Sequence, residues 1–362
     1  RSGANIEKGN NMELENLIID MCSLMSVSGY ETYDRAALLD LIGGSFDECL
    51  EDGVGNQVFV RRCGRPGAPR IMLDAHMDEI GMIVSEILDG GFVRVVNVGG
   101  LDTRILQAAE VVIYGTRPIH AVVASTPPHL QKPGDNKKLP EIGDLLIDTG
   151  FPREELEEII RIGSPVGFLP KYSRLLGGNL TGKGLDDKSC AACAAFAVMN
   201  TPADKLAGDV YLVLSVREET GRFGGVAAAA YSIDPDYAMV IDVNLGRTPD
   251  TQKRETVAMG GGASLTLSPI THKQLTRMTG ELAAEQGIKV QYSVCPGHTG
   301  TNTPEVALTR GGIPVVDAGL PLASMHTCCE AIRMDDCRAL CDLVTLFVTS
   351  EKIAEVFGNA KA

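Results

Sequence analysis

The amino-acid sequence predicts an α/β protein in which helices cover a sheet and a small, β-rich, barrel-like domain is inserted. Before residue 80 and after residue 172, apolar strand-like runs alternate with segments of helical spacing, as in a sheet covered by helices. Between these parts, short β-branched runs are separated by Gly, Pro and Asp turns. We therefore predict a discontinuous α/β domain of residues 12–79 and 173–362, interrupted by an inserted domain of residues 80–172.

The two outer parts of the chain supply the elements of the α/β domain. In MELENLIIDMCSLM, Leu14, Leu17, Ile18 and Met21 recur at helical spacing, and YDRAALLDLI predicts a second helix. The predicted strands are NQVFVRR, RIMLDAH, DVYLVLSV, DYAMVID, ASLTLS, VQYSV and GIPVVDAG. Further helices are predicted in KSCAACAAFAVM and HKQLTRMTGELAAEQ, and one continuous last helix in DDCRALCDLVTLFVTSEKIAEVF.

The inserted part is predicted to be mostly strands and turns. Its candidate strands are GFVRVV, EVVIYGT, IHAVVAS and LLIDTG. The Pro-, Gly- and charge-rich stretch PPHLQKPGDNKKLPEIGD is expected to be an exposed loop. A helix around REELEEIIRI closes this part of the chain.

The net charge and the hydropathy of the chain argue against nucleic acid and a membrane as partners. The net charge is −14 over 362 residues, which argues against nucleic acid, because phosphate binding requires a basic face. No apolar run approaches the roughly 18 residues of a membrane span, and residues 1–11 lack the apolar stretch of a secretory signal. We expect a cytoplasmic protein without a nucleic-acid or membrane partner, in which residues 1–11 are a disordered or non-native tail.

The ten cysteines do not indicate a disulfide framework, because such frameworks occur mainly in small secreted domains. Cys190 and Cys193 lie in one predicted helix, and Cys337 and Cys341 in another. We expect them to be small buried thiols in a reducing compartment.

Polar clusters stand at the ends of several predicted strands. His76 and Asp78 follow RIMLD, Glu218 and Glu219 follow VYLVLSVR, Asp242 ends YAMVI, and His326 lies beyond GIPVVDAG. Another pair, Asp186 and Asp187, stands between a glycine loop and a helix start. Since ligands bind at the carboxyl ends of the strands in open α/β sheets, we expect these residues to share one crevice.

Histidines and carboxylates together suit a borderline divalent metal such as zinc, with cobalt or manganese as alternatives. Each residue alone has an ordinary explanation: a hydrogen-bonded histidine, a helix cap, a solvated strand end or a turn. Their convergence favours a site for two metal ions that share one carboxylate. Asp78 is expected to accept the second ring N–H of His76, and in the Glu218–Glu219 pair one carboxylate would bind metal while the other moves protons.

The ordered motifs resemble family 42 of the metallopeptidases, which includes tetrahedral, glutamyl and deblocking aminopeptidases and FrvX-like and cellulase M-like proteins. The resemblance covers about residues 26–348 and rests on the stretches DGVGN, DAHMDEIGMIV, GTRPIHAVVASTPPHL, LLIDTG, GLDDKSC, EETGRFGG, VIDV and RGGIPVVDAGLPLASMHTCCE. It implies a phosphorylase/hydrolase-like sheet with a dimetal aminopeptidase site. It also implies an inserted domain that mediates homo-oligomers, from dimers up to a tetrahedral dodecamer.

The resemblance also assigns roles to individual residues. One metal would be bound by His76 and Asp242, the other by Glu219 and His326, with Asp186 bridging them. Glu218 would be the general base, Asp78 would orient His76, and Asp187 would have a supporting role.

The sequence departs from the family pattern at several positions. Asn302 stands where an aspartate is usual, Lys188 where an arginine is usual, and Thr327 and Cys328 where a serine and a small or apolar residue are common. None of these is a proposed ligand. Because residues 295–302 are expected near the pocket, His298 and Asn302 are candidate substrate contacts, although the sequence favours an ordinary surface-loop histidine for His298.

The predicted activity is removal of N-terminal residues from short peptides, with a metal-bridged water as nucleophile and a Glu base. One alternative is an N-acyl amino acid deacylase that uses the same metals. Another is a catalytically silent assembly protein that has kept the fold. Glycoside cleavage has little support, since the chain has no Trp and 5% aromatic residues with which to stack sugars.

Overall fold

A computed structural model describes residues 3–125, 127–130, 140–221 and 224–358, and for residues 3–12 and 128 it describes the backbone only. The helices are α1 (Gly3–Ser23), α2 (Arg35–Ile42), α3 (Arg153–Ile159), α4 (Leu185–Met199), α5 (Val226–Ile233), α6 (Lys273–Glu285), α7 (Thr303–Ala307), α8 (Met334–Thr349) and α9 (Glu351–Phe357). The first nine strands are β1 (Glu48–Glu51), β2 (Gln57–Arg61), β3 (Arg70–His76), β4 (Gly81–Ile87), β5 (Phe92–Val98), β6 (Glu110–Tyr114), β7 (Pro118–Val123), β8 (Ile147–Asp148) and β9 (Pro165–Phe168). The later strands are β10 (Ser173–Leu175), β11 (Asn179–Gly182), β12 (Asp209–Ser215), β13 (Tyr237–Leu245), β14 (Ala263–Leu267), β15 (Val290–Val294), β16 (Val315–Ala323) and β17 (Glu330–Arg333).

The larger sheet has four parallel strands at its centre, in the order β12-β3-β13-β16. Antiparallel strands flank them, β2 and β1 beside β12, and β17, β11 and β10 beside β16. The central strands are rich in Val, Ile, Leu and Ala and are buried on both faces, as expected of parallel strands with helices on either side. This arrangement confirms the predicted helix-covered α/β sheet.

The chain between β3 and β10 forms a separate closed barrel. Its six strands pair in the order β4-β5-β8-β7-β6-β9. Alternate residues of these strands point inward and form a second apolar core, distinct from the core of the sheet. The predicted barrel-like insertion is therefore present, and it is connected to the sheet directly after His76.

Helix α4 packs against the sheet and is buried along almost its whole length. Its run of Ala, Cys and Ser side chains is buried almost throughout, because small residues allow the helix to lie close to the strands and to α1 and α8. Cys190, Cys193, Cys337 and Cys341 are buried thiols, as predicted.

The prediction of a single C-terminal helix is wrong. Ser350 ends α8 with an extended backbone, and its hydroxyl accepts the N–H of Ile353 to begin α9. The backbone is helical from Gly3 to Ser23, a range that includes most of residues 1–11, for which the sequence predicts a disordered or non-native tail. Part of the predicted loop PPHLQKPGDNKKLPEIGD, residues 131–139, lies outside the described residues. No helix within the described part of the chain has the length and apolar content needed to cross a membrane.

Candidate metal centre

The polar residues singled out in the sequence meet at one edge of the sheet. His76 is the last residue of β3 and pairs with Ser215, the last residue of β12. Because the four central strands are parallel, their carboxyl ends lie at the same edge, and the residues near them converge. The cluster consists of His76, Asp186, Asp187, Glu218, Glu219, Asp242 and His326.

Two turns with left-handed backbone present the glutamate pair and the second histidine. Arg217 has φ 64° and immediately precedes Glu218, and His326 itself has φ 60°. Such conformations are unfavourable for residues other than glycine and persist where the surroundings hold them. The Arg217 N–H donates to Glu31 Oε1 at 2.9 Å and its guanidinium donates to the Val54 carbonyl at 3.1 Å, which fixes the first turn.

The two histidines face opposite oxygens of one aspartate. His76 Nε2 lies 3.3 Å from Asp186 Oδ1, and His326 Nε2 lies 3.4 Å from Asp186 Oδ2. His76 Nε2 is also 3.8 Å from Asp242 Oδ1, and His326 Nε2 is 3.2 Å from Glu219 Oε2. Asp186 therefore stands between two histidine–carboxylate groups, which is the arrangement expected of a bridging carboxylate.

Two sets of three side chains are close enough to hold an ion. The ligand atoms of His76, Asp186 and Glu219 lie within 4.8 Å of one another, and so do those of His76, Asp187 and Asp242. Both sets contain His76. In the second set, Asp187 is buried and its carboxylate accepts no hydrogen bond from an N–H or O–H group of the described residues.

The electrostatics of the cluster also suit cations. Burial raises the pKa of Glu218 to about 7, and burial together with the nearby Asp187 raises the pKa of Asp242 well above its usual range. Contacts with Asp186 and Glu219 raise the pKa of His326 to about 11. Five acidic side chains thus share a largely buried site with two histidines, and divalent cations would satisfy the excess of negative charge. The residues present fit a metal centre.

The contact between Asp78 and His76 differs from the expected one. His76 Nδ1 lies 3.0 Å from the backbone carbonyl of Asp78 but 3.6 Å from its carboxylate. The Asp78 carboxylate instead accepts the N–H groups of Glu218 at 3.0 Å and Glu219 at 3.1 Å, and the hydroxyl of Ser28. Asp78 therefore holds the histidine through its backbone and the glutamate pair through its side chain.

Glu330 supports the site but was not identified from the sequence. It is the first residue of β17 and is buried. Its two oxygens accept the N–H of His326 at 2.9 Å and the N–H of Asp186 at 3.1 Å. The short spacing from His326 to Glu330 was the only available signal, and nothing in that spacing separates a supporting carboxylate from an exposed one.

Two glycines that follow β5 of the barrel, Gly99 and Gly100, also contact the cluster. His326 Nδ1 lies 3.1 Å from the carbonyl oxygen of Gly100. A Cβ at Gly100 would come within 2.9 Å of the same nitrogen, and a Cβ at Gly99 would lie 3.4 Å from Glu219 Cβ. Only residues without side chains fit this close to His326, so the segment after β5 forms part of the wall of the site.

The remaining predicted positions lie around the cluster. Asn302 is buried, and its amide donates to Asp74 Oδ2 and to Ser215 Oγ, both at 3.0 Å; these contacts are with the strand ends below the site. His298 is exposed, and its ring accepts the N–H of Gly300 at 3.0 Å. Lys188 is buried and donates to the Leu24 carbonyl at 3.0 Å and to Ser26 Oγ at 2.8 Å.

Comparison with known proteins agrees with this geometry. Residues 55–343 match the family model described as M42 glutamyl aminopeptidase. A lysyl aminopeptidase of Pyrococcus furiosus is 30% identical over 308 residues, covering 83% of this chain and 87% of the relative. An aminopeptidase structure from the archaeon Desulfurococcus kamchatkensis superposes with a TM-score of 0.87 at 29% identity, covering 97% of this chain and 99% of the other. The TET1 peptidase of Pyrococcus horikoshii, which can assemble into a tetrahedron or a large octahedral shell, has a TM-score of 0.81 at 27% identity and coverage of 93% and 99%. The chain therefore belongs to the M42 family of aminopeptidases, which are peptide-bond hydrolases.

Proposed function

We propose that this protein is a dimetal aminopeptidase that removes the N-terminal residue from short peptides, with zinc as the first candidate metal and cobalt or manganese as alternatives. One observation carries the proposal: the two oxygens of Asp186 face two histidines, each of which has a further carboxylate beside it. A structural ion pair would need one carboxylate for each histidine, whereas this cluster contains five acidic groups.

Each ion would have its own set of ligands. His76 and Asp242 would hold one ion, Glu219 and His326 would hold the other, and Asp186 would bind both. When bound, two such ions supply a water of lowered pKa and a Lewis acid for the scissile carbonyl. Asp187, beside His76 and Asp242, would add negative charge next to the first ion.

Glu218 is the proposed general base. Its Oε2 lies 3.9 Å from His76 Nε2 and its side chain is 20% exposed, so it borders both the cluster and the solvent. With a pKa raised by burial to about 7, it can accept a proton from water and return it to the leaving amine near neutral pH. The Asp78 carboxylate fixes the backbone N–H of Glu218 and thereby limits its position.

We also propose the domain division predicted from the sequence, with residues 80–172 as an assembly domain. The separate apolar core of the barrel supports this division. Val96, Val122 and Ile162 are exposed on the barrel and are available for contact between copies. A homo-oligomer, in the range from dimer to tetrahedral dodecamer, is the expected state. His298, exposed on its loop, remains a candidate substrate contact, whereas the buried amide of Asn302 is better suited to supporting the strand ends.

The test begins with protein stripped of metal by EDTA and assayed on a panel of aminoacyl-p-nitroanilides. Adding zinc, cobalt or manganese should restore turnover, and about two ions should bind per chain. An N-acetylated amino acid serves as the control substrate for deacylation. Failure of every metal to restore anilide hydrolysis, despite two bound ions, would rule out the aminopeptidase assignment for this site.

The variant Glu218→Gln tests whether Glu218 acts as the general base rather than as a metal ligand. Loss of general base catalysis should lower kcat by about 10²–10⁴-fold, while metal content stays near two ions per chain. Glu219→Gln is the matched variant, since it alters the neighbouring carboxylate and should lower metal content instead. If Glu218→Gln retained turnover, Glu218 would not be the base.

A further inference from the structure

The turn that carries His326 also carries two adjacent thiols. Cys328 and Cys329 have their sulfur atoms 3.8 Å apart. The structure describes all ten cysteines, and each is a free thiol. Cys329 is exposed and Cys328 is half-buried against the core of the barrel. Together they border a groove of about 390 Å³, whose other walls include Lys171, Thr181 and Ala108.

The spacing of the two sulfurs suits one shared ion. Metal–thiolate bonds are roughly 2.3 Å long, so two sulfurs 3.8 Å apart subtend about 110° at an ion bound to both, which is close to a tetrahedral angle. Soft thiolate ligands select soft, thiophilic ions. The pair can bind such an ion with little movement, and the open groove leaves its other coordination positions to water or to substituents of the ligand.

A disulfide fits the same pair less well. The sulfurs would have to approach to about 2.05 Å, and adjacent residues on a trans peptide have Cα atoms about 3.8 Å apart, below the usual range of roughly 4.4–6.8 Å for disulfides. A disulfide formed there would be strained and easily reduced. Ligand capture therefore suits this pair better than oxidation.

We propose that Cys328 and Cys329 form a dithiol site for a soft, thiophilic ion or metalloid, and that its occupation restrains the turn holding His326. The Cys329 N–H donates to Thr327 Oγ1 at 3.1 Å, and that hydroxyl donates to the Ser324 carbonyl at 2.7 Å. The residues that flank Thr327–Cys329 are also joined, because the Glu330 carboxylate accepts the N–H of His326. A ligand that joins the two sulfurs acts on this short, internally bonded turn. The binding site does not depend on the proposed function, whereas the effect on turnover rests on it.

The probe is phenylarsine oxide, a monosubstituted trivalent arsenical, added to the metal-loaded, reduced full-length protein. Its arsenic–oxygen group reacts with two thiols to give a cyclic dithioarsenite, in which two As–S bonds form and the oxygen leaves as water with both thiol protons. At one equivalent, intact mass should increase by one arsenical per chain. A dithiol such as 2,3-dimercaptopropanol should remove it, whereas the same concentration of a monothiol should not.

Serine variants locate the adduct. Cys328→Ser and Cys329→Ser should each abolish capture at one equivalent, because one remaining thiol cannot close the ring; Cys329 is exposed, so its variant keeps the test valid if Cys328→Ser fails to fold. Cys49→Ser, which alters a half-buried thiol on strand β1, should retain both the adduct and the turnover of the original chain. Capture that persists in both Cys328→Ser and Cys329→Ser, or no capture at all, would overturn the site.

Turnover on an aminoacyl-p-nitroanilide gives the second readout. The adduct should lower kcat at least tenfold, and the dithiol should restore it. An adduct that leaves kcat unchanged would overturn the link to His326. If the protein proved to have no aminopeptidase activity, the mass measurement would still decide whether the dithiol site exists.

Discussion

The two histidines of the candidate metal centre stand in very different surroundings. His76 is 2% exposed by its side chain, ends a central strand and contacts the backbone of Asp78. His326 is 33% exposed, lies in a turn after β16 with left-handed backbone, and contacts the carbonyl of Gly100 from the segment of the barrel. One half of the site is therefore built by the sheet itself, and the other depends on a turn and on the neighbouring barrel.

Because of this difference, the two halves of the site should respond differently to substitution. The half around His76 is positioned as soon as the parallel strands form, since its residues are strand ends buried in the sheet. The half around His326 needs the barrel segment and the turn to be in place, and any movement of either reaches it directly. We expect variants of the first half to affect folding and metal binding together, and variants of the second half to affect mainly one metal position.

The largest expected effect is that of His76→Ala. The variant leaves the carboxylates of Asp186 and Asp242 buried without the histidine between them, a loss that typically costs about 3–5 kcal/mol. His326→Ala should cost less than His76→Ala, because the His326 side chain is 33% exposed and water can replace part of its contact with the buried Asp186 and Glu219 carboxylates. Urea unfolding of the metal-free proteins measures both values, and equal losses would remove the distinction between a buried and an exposed half.

Metal content of the same two variants sharpens the comparison. His76 is a proposed ligand of one ion, so His76→Ala should lose that ion. Its ring also lies close to the ligand atoms of Asp186 and Glu219, so the affinity for the second ion should fall as well. His326→Ala should retain about one ion per chain. Two ions retained by His76→Ala at the metal concentration that saturates the original chain would contradict the proposed ligand sets.

Gly100→Ala tests the barrel's part in the exposed half. The added Cβ would lie 2.9 Å from His326 Nδ1, so the ring must move or the segment must shift. Loss of a supporting contact of this kind typically costs about 10–100-fold in metal affinity, and we expect that loss for one ion of the two. Gly143→Ala is the matched control in the same part of the chain, because a Cβ there meets no atom within 4 Å. Equal metal affinity in both variants would mean that Gly100 does not position His326.

Asp78→Asn tests the corresponding support in the buried half. An amide retains one acceptor oxygen, so one of the N–H groups of Glu218 and Glu219 loses its partner and faces an NH₂ group. A buried donor without a partner costs about 1–3 kcal/mol. We expect kcat to fall about tenfold with little change in the number of ions bound. A loss of metal equal to that of His76→Ala would show that Asp78 acts mainly through the histidine.

Strand ends could be predicted from the sequence because their signals are local. The apolar run RIMLDAH locates β3, and the polar residues that follow such runs must lie at the carboxyl edge of a parallel sheet. Convergence of the seven polar residues of the cluster followed from that rule, and the resemblance to a known family assigned their roles.

Contacts between distant segments could not be predicted in the same way. The carbonyl of Gly100 is 226 residues from His326 in the chain, and a backbone carbonyl has no signature in the sequence. Glu330 and the two N–H partners of Asp78 depend on the path of turns rather than on periodicity. The split between α8 and α9 was missed because the apolar spacing continues across Ser350, while the hydroxyl of that serine caps a new helix.

The most gradual expected effect is the dependence of metal affinity on pH. Contacts with Asp186 and Glu219 raise the pKa of His326 to about 11 in the metal-free protein, and contacts with Asp186 and Asp78 raise that of His76 although its burial opposes the shift. These contacts favour the protonated rings, and an ion must displace the protons, since a histidine binds metal in its neutral form. The metal-bound protein holds fewer protons, so raising the pH favours binding.

The affinity of each ion should therefore rise with pH, by no more than about tenfold per pH unit for each proton displaced. Calorimetric titration with zinc in two buffers of different ionisation enthalpy, at the same pH, gives the number of protons released. His326→Ala should release about one proton fewer than the original chain, because the exposed half then has no histidine to deprotonate. If the number of protons released were unchanged in His326→Ala, the released protons would come from the buried half alone. His326 would then bind its ion without first losing a proton.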